Sequence, residues 1–541
     1  MLASRDSDYM IGSVGTGRAT LTIDGEPARV YPNGAFMAWV RNPTPAKPMY
    51  DLVAIAGTDT VRAQRPVRFP PPAPQLPATG PIAVDSASLL PRPGLMLRDD
   101  ERTEVGVRAP ANAVVTLHAG AARLRLTHTG DDWSLSTAAR FLRAGAQLVV
   151  SRGRDSIRLK LPGIDAPNDT NPKWVRLGKG QVSGDTDAVV YGRVLPNDNY
   201  HWFLLPGTVL QLTGHVAGYS RVRADRALEM WVADADVEPA ASAMQAPRRV
   251  TNNARLRATS ESVDLVIPMT APPAYYVEEG GTALGLVLYG TRANSDIINL
   301  VTADTFVRNV TWDQEASDRV RFTLHLTRPA LGYLALWENG SFVLRVRRAP
   351  SVDPAQPLRG LTIAIDPGHP PAGATGPTSL YEGQAVLWVG ERVQALLEQR
   401  GAHVIMTRTT MDSVPLTERR VIARRANAQV FVSIHLNAYP DGVNPFTAKN
   451  GSGTYFFRPY AEPLARAVQR GVLATMGLPD DGVFVRSLAV TVQSWMPAVL
   501  CEGAFVIIPE QEAALRTPEF QDKYAQGIVN GLEAYFRSFA R

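Results

Sequence analysis

The strongest constraint on how this chain folds is a change of texture at Leu361. Before it, short runs alternate apolar with polar residues, the period of half-buried strands, and Pro- or Gly-rich breaks separate them. After it, short apolar runs alternate with helical spacing. Val386, Val389, Val393, Leu396 and Leu397 recur on one helical face, and Gly401 follows as a stop. Residues 404–407 read as the next strand, 417–427 as an Arg-rich helix feeding the strand 430–434, and 461–476 as a further helix. Ile528, Leu532, Tyr535, Phe536 and Phe539 give the last helix one apolar face. Alternation of this kind predicts an α/β domain, a central sheet with helices on both faces, behind a series of all-β modules. The 541 residues are 45% apolar, enough to bury several cores.

The upstream part divides into four β modules. Residues 10–68 carry the alternating run Ala19-Thr-Leu-Thr-Ile and the hairpin signals Asp24-Gly25 and Asn33-Gly34. Residues 69–94 are Pro-rich and read as an extended linker. Residues 95–165 alternate in 114–117, 124–127 and 157–161. Residues 170–238 hold an apolar run at 204–212, a glycine-punctuated turn at 214–218, and the strands Tyr219-Ser-Arg-Val-Arg and Glu229-Met-Trp-Val. Residues 250–350 alternate in 263–267, 284–288, 320–326 and 342–346. These patterns resemble an Ig-like module (10–68), a bacterial SH3-like barrel (170–238) and the AMIN domain (250–350). Further breaks fall at 236–247 and 349–357, so the α/β domain spans 358–541, and a fragment starting near Gln356 is expected to fold alone.

A net charge of +5 and a pI of about 9.2 favour attraction to polyanions such as acidic envelope polymers. The basic residues are spread along the chain, with no basic helix or aromatic RNA-binding signature, which argues against nucleic acid as a partner. The single cysteine, Cys501, rules out an intrachain disulfide and a cysteine-based zinc site. Residues 1–12 lack the apolar stretch of a secretory signal, and no window holds the roughly 20 apolar residues of a transmembrane segment.

Chemistry-bearing residues fall at the joints of the downstream domain. The run Leu361-Thr-Ile-Ala-Ile-Asp ends in Pro367-Gly368 and presents His369, and Glu382 follows 13 positions later. A second apolar run, 430–434, ends in His435, and a third, 498–501, ends in Glu502. Two imidazoles and one carboxylate are the donor set of a catalytic zinc site with one open position. Glu502 suits a general base acting on water there. Plainer readings exist for each: a structural histidine for His369, an acid favoured in a first helical turn for Glu382, a buried salt bridge for Glu502. Their joint occurrence favours the site. Asp366 either orients a ligand or caps the turn, and Asn437 either holds the His435 loop or is a turn residue. Strand alternation turns Cys501 away from Glu502, as a small buried hydrophobe. Trp202, Trp231 and Trp312 read as core residues rather than sugar platforms. His118, His128, His201, His215, His325 and His403 have no ligand-like partners.

The same positions carry a family resemblance. Asp366-Pro367-Gly368-His369, then Glu382, then Thr407-Arg408 with Leu416 and Arg419, then Ser433-Ile434-His435-Leu436-Asn437, then Glu502-Gly503-Ala504-Phe505 occur in order. With them, residues 360–541 resemble the zinc-dependent N-acetylmuramoyl-L-alanine amidases of the amidase-3 type. The resemblance implies hydrolysis of the amide joining the lactyl group of N-acetylmuramic acid to L-alanine of the peptidoglycan stem peptide. It implies Zn2+ on His369, Glu382 and His435, with Glu502 as the catalytic carboxylate. It also implies peptidoglycan as partner, with room for an activating envelope protein, and an exported, periplasmic or cell-envelope location with the signal peptide absent from this chain.

The family pattern is broken at three places, four residues in all. Pro370-Pro371 replace two glycines, Gly383 replaces a lysine, and Leu436 replaces an alanine. All three read as changes to the rim of the substrate groove. The stretch between Asn437 and Gly453 is too short for the long helix that occludes some members. Two alternatives stay open: a non-catalytic wall-binding protein on the same fold, and a zinc hydrolase of another cell-wall amide. That all four site positions are filled favours catalysis.

Overall fold

The computed structural model describes residues 6–540 apart from 70, 72, 180–187, 241–246, 297 and 300–303, so the middle of the break at 236–247 lies outside the described residues. Among the described residues upstream, the regular structure is β-strand apart from two short 3-10 turns. In the first module, strand Ser7–Ser13 pairs with Ala35–Arg41 beside a four-stranded sheet. Its hairpin turn has positive φ at both Asp24 and Gly25, as the Asp-Gly signal requires. The second module is two four-stranded sheets around one core that includes Val105, Leu117, Trp133 and Leu148.

The linker expectation needs correction. Within 69–94, strand Asp85–Leu90 pairs antiparallel with Arg102–Arg108, and Ile82 is buried in the second module's core. The strand lies at the sheet edge, where neighbouring prolines cost no ladder hydrogen bonds. Proline content alone therefore overstated the spacer.

The third module is a seven-stranded antiparallel sheet. The fourth is a five-stranded sheet facing a four-stranded one, with Leu265, Leu344, Leu286 and Phe322 in the shared core. Trp202 and Trp231 are buried as expected, whereas Trp312 is 39% exposed and is not a core residue.

The downstream domain is α/β. Its elements are β1 (Thr362–Pro367), α1 (Glu382–Gln399), β2 (His403–Met406), α2 (Leu416–Arg425), β3 (Val430–Asn437), β4 (Ser452–Phe456), α3 (Glu462–Met476), β5 (Asp480–Val485), β6 (Ala498–Phe505), α4 (Pro509–Leu515) and α5 (Pro518–Arg537). The sheet order is β2-β1-β3-β6-β4-β5. Strands β2, β1, β3 and β6 run parallel, and β4 pairs antiparallel with β6. Near-continuous apolar runs make sense here because both faces are covered. Ile363, Ile365, Val430, Val432 and Val499 point to α1, α3 and α5 in one core. Ala364, Phe431 and Leu500 point the other way, with Ala423 of α2. Parallel strands present their C-terminal ends together, and β1, β3 and β6 there deliver His369, His435 and Glu502.

The domain is not sealed off at 358. Tyr31, Ala35 and Met37 of the first module are each at most 5% exposed and join the core of α1, α3 and α5. The Tyr9 hydroxyl donates to the Tyr439 carbonyl at 2.6 Å, and the Gly442 N–H donates to Asp8 at 2.7 Å. Burying a Met or Tyr side chain is worth about 1.5–3 kcal/mol. Deleting residues 1–68 should therefore lower the melting temperature by roughly 5–10 °C. Calorimetry on the two chains tests this, and equal melting temperatures would refute the shared core.

Candidate metal centre

The loop carrying His369 is set by two buried arginines. Arg408 Nε donates to the Pro367 carbonyl at 2.8 Å, and its Nη2 donates to those of Gly368 at 2.7 Å and Gly383 at 2.6 Å. Arg419 Nη1 donates to the Pro367 carbonyl at 2.9 Å, and its Nη2 donates to that of Pro370 at 2.8 Å. Arg419 Nη1 also meets Asp366 Oδ1 at 2.7 Å, and both side chains are 1% exposed. The remaining lone pairs of Asp366 take the hydroxyls of Thr407 at 2.5 Å and Ser433 at 2.6 Å. A buried ion pair is tolerable only with such extra hydrogen bonds. It holds His369 in the left-handed region, at φ +54°. Gly368 has no alternative here, because a Cβ would lie 2.3 Å from the His435 ring.

Glu382 is the first residue of α1, and it is buried. The loop before it is anchored by Glu512 of α4, a fully buried carboxylate that accepts the N–H groups of Thr378 at 3.0 Å and Leu380 at 3.1 Å. Glu382 Oε2 accepts the Ala374 N–H at 2.9 Å, and Oε1 accepts that of Leu436 at 3.0 Å. Burial would raise its pKa, but the two imidazoles beside it, His369 and His435, win and hold it well below the usual carboxylate range.

His369 Nε2 and His435 Nδ1 lie 3.1 and 3.2 Å from Glu382 Oε1. One donor atom from each residue falls within 4.8 Å of the others. Tetrahedral zinc with arms near 2.0–2.1 Å separates its donors by roughly 3.3 Å, which the two distances to Glu382 match. His369 Nδ1 donates to the Pro371 carbonyl at 3.0 Å, which leaves the Nε2 lone pair facing the cluster.

Glu502 lies opposite His435 in the β3–β6 register. Its Oε2 is shielded from solvent and has no hydrogen-bond partner. A buried carboxylate oxygen without a donor is costly and marks a functional position more often than a structural one. Burial pushes Glu502 up to about 7, against the pull of His435.

The structure thus brings together His369, Glu382, His435 and Glu502. Two local details differ from expectation. β3 continues past His435 to Asn437 and β6 past Glu502 to Phe505, because the strands stay paired across a register shift between His435 and Asn437. His435 and Glu502 therefore sit within strands rather than after them. The departures from the family pattern do not lie merely on a rim. Pro370, Pro371 and Gly383 present carbonyls to Arg419, His369 and Arg408, and Leu436 is 3% exposed. Asp366 pairs with Arg419, which donates to the carbonyls of Pro367 and Pro370 on either side of His369. Cys501 is buried in the opposite core, as alternation predicts. Sequence reasoning missed the supporting roles of Arg408, Arg419 and Glu512. Among the described residues no other cluster of histidine, cysteine or acidic groups can hold a metal, and no helix is long and apolar enough to cross a membrane.

Comparison with known proteins meets the same segment. Residues 363–534 match the family model Amidase_3, described as N-acetylmuramoyl-L-alanine amidase. The chain is 33% identical over 208 residues to the uncharacterized protein YqiI of Bacillus subtilis, covering 37% of this chain and 98% of that one. It is 30% identical over 199 residues to the germination-specific N-acetylmuramoyl-L-alanine amidase of Bacillus subtilis, covering 33% of this chain and 81% of that one. It is 35% identical over 187 residues to the N-acetylmuramoyl-L-alanine amidase LytC of the same organism, covering 34% of this chain and 36% of LytC, so it spans about a third of that relative's length.

Proposed function

The chain belongs to the N-acetylmuramoyl-L-alanine amidase family, and from that premise we propose that it hydrolyses the amide between the lactyl group of N-acetylmuramic acid and L-alanine of the peptidoglycan stem peptide. The observation that carries this reading is the meeting of His369, Glu382 and His435 beside the unpartnered, shielded oxygen of Glu502.

His369, Glu382 and His435 would hold Zn2+. Bound there, the ion would supply a Lewis acid for the amide carbonyl and lower the pKa of water toward roughly 7. The chain's own groups do the rest. The Pro371 carbonyl fixes the His369 tautomer, and the two imidazoles keep Glu382 ionised. Glu502 takes a proton from the attacking water. As the new C–O bond forms and the C–N bond breaks, it returns that proton to the departing L-alanine nitrogen.

The upstream modules fit the same function as tethers. Ig-like, SH3-like and AMIN-like units would keep the enzyme on an insoluble polymer and raise its effective concentration there. Such tethering fits an enzyme that works in the periplasm or cell envelope.

The purified protein should contain one zinc per chain by elemental analysis, and a chelator should abolish release of stem peptides with a free L-alanine amine, read by mass spectrometry. Full activity without metal would overturn the zinc mechanism. Intact muropeptides despite bound zinc would leave the wall-binding reading instead.

A further inference from the structure

The antiparallel and edge strands beside Glu502 carry a feature the hydrolysis does not use. β4 aligns Gly453 with Glu502 of β6, and β5 pairs with β4 at the sheet edge. In that outer pair Asp480 aligns with Ser452 and Gly482 with Gly453, so Asp481 is an extra residue. A bulge of this kind re-aims one side chain and is common beside active sites. Gly482, at φ +124°, supplies the backbone conformation that the bulge needs.

The re-aimed side chain is a carboxylate over the neighbouring strand. A Cβ on Gly453 would lie 3.5 Å from Asp481 Oδ2. Asp480 behaves differently: it is exposed and accepts from Gln469 Nε2 at 2.7 Å. An exposed acid on an edge strand guards against edge pairing, which accounts for Asp480 but not for Asp481. Lys449 and Asp480 act on Asp481 through space, and burial raises its pKa. Gly453 thus has Glu502 of β6 opposite it on one side and the Asp481 carboxylate over it from the other strand, and Tyr455, two residues on, stacks on Phe484 at 5.2 Å.

We propose that Asp481 is a specificity-determining residue that pairs with an ammonium group on the peptide part of the substrate. The inference rests on the amidase reading above. Adjacent strands lie about 4.8 Å apart, so Asp481 stands roughly 10 Å from the Glu502 backbone. An extended peptide advances about 3.3–3.6 Å per residue, so the amine belongs to a residue two or three beyond the scissile amide. A diamino acid there presents a cation to Asp481. The same residue with its side-chain amine acetylated does not.

The test uses the full-length, zinc-loaded enzyme and two soluble muropeptides that differ only in acetylation of that amine. For the unaltered chain kcat/KM should favour the free amine. Asp481→Asn should cut that preference about tenfold, chiefly through KM, the scale expected for losing a charge-assisted hydrogen bond. Asp481→Glu should restore most of it. An unchanged preference in Asp481→Asn, or an equal fall on both substrates, would overturn the proposal while leaving the amidase reading intact. If the unaltered chain cleaved neither muropeptide, the amidase reading itself would fail.

Discussion

Replacing Glu502 by Gln should slow amide hydrolysis roughly 10²–10⁴-fold while zinc stays bound, the range expected when a general base is lost. Glutamine keeps the shape of the side chain and removes its ability to accept the water proton. The proposed metal donors are three other residues, so metal content should not change. The pH profile gives an independent readout. A general base works when deprotonated, and burial holds Glu502 above its ordinary range. The rate of the unaltered enzyme should therefore rise with pH through an acidic limb, at a position pulled downward by the bound cation. Glu502→Gln should lack that limb. If the variant loses zinc, Glu502 is a ligand and the division of roles is wrong.

Much of this domain was legible because strand and helix periods differ. The face Val386, Val389, Val393 and Leu397 is fully buried in α1. The apolar runs ending at His435 and Glu502 are strands, since a sheet covered on both faces needs continuous apolar sequence. Strands β4 and β5 and helix α4 escaped notice. β4 is short and begins Ser452-Gly453-Thr454, and Pro479-Asp480-Asp481-Gly482 has the composition of a turn, so neither shows clean alternation. α4 is seven residues long, below the length at which periodicity speaks.

The supporting shell around His369, Glu382 and His435 was harder to read than those three residues. Arg419 sits in a helix that also carries Arg420, Arg424 and Arg425, and such a run reads as a solvated face. Only tertiary packing distinguishes it, by bringing α2 under the end of β1. The usable signal was Asp366, an acid closing an apolar strand, which requires a cationic partner somewhere in the chain. Glu512 posed the same problem. It shares the first turn of α4 with Glu510, yet Glu510 is exposed and Glu512 is fully buried against the loop that leads to Glu382.

Removing Arg419 should cost more stability than any other single change at the site that leaves the donor set intact. Arg419→Met keeps the length of the side chain and discards its charge and its donors. Asp366 would then remain buried and charged with only the Thr407 and Ser433 hydroxyls, and the Pro370 carbonyl would lose the Arg419 donor. Breaking a buried pair on one side typically costs about 3–5 kcal/mol. The loop bearing His369 would also lose part of its clamp, and loss of outer-shell support typically weakens metal binding about 10–100-fold. Lysine should rescue poorly, because one ammonium cannot replace a planar fork that reaches Asp366, Pro367 and Pro370 together. Pairing Arg419→Met with Asp366→Asn should lose much less than the sum of the single changes, since the stranded charge goes with its partner. Urea unfolding of the four chains and a competition assay for zinc give both numbers. Additive losses, or an Arg419→Met chain that binds zinc as tightly as the unaltered one, would show that the histidine loop holds its shape without the clamp.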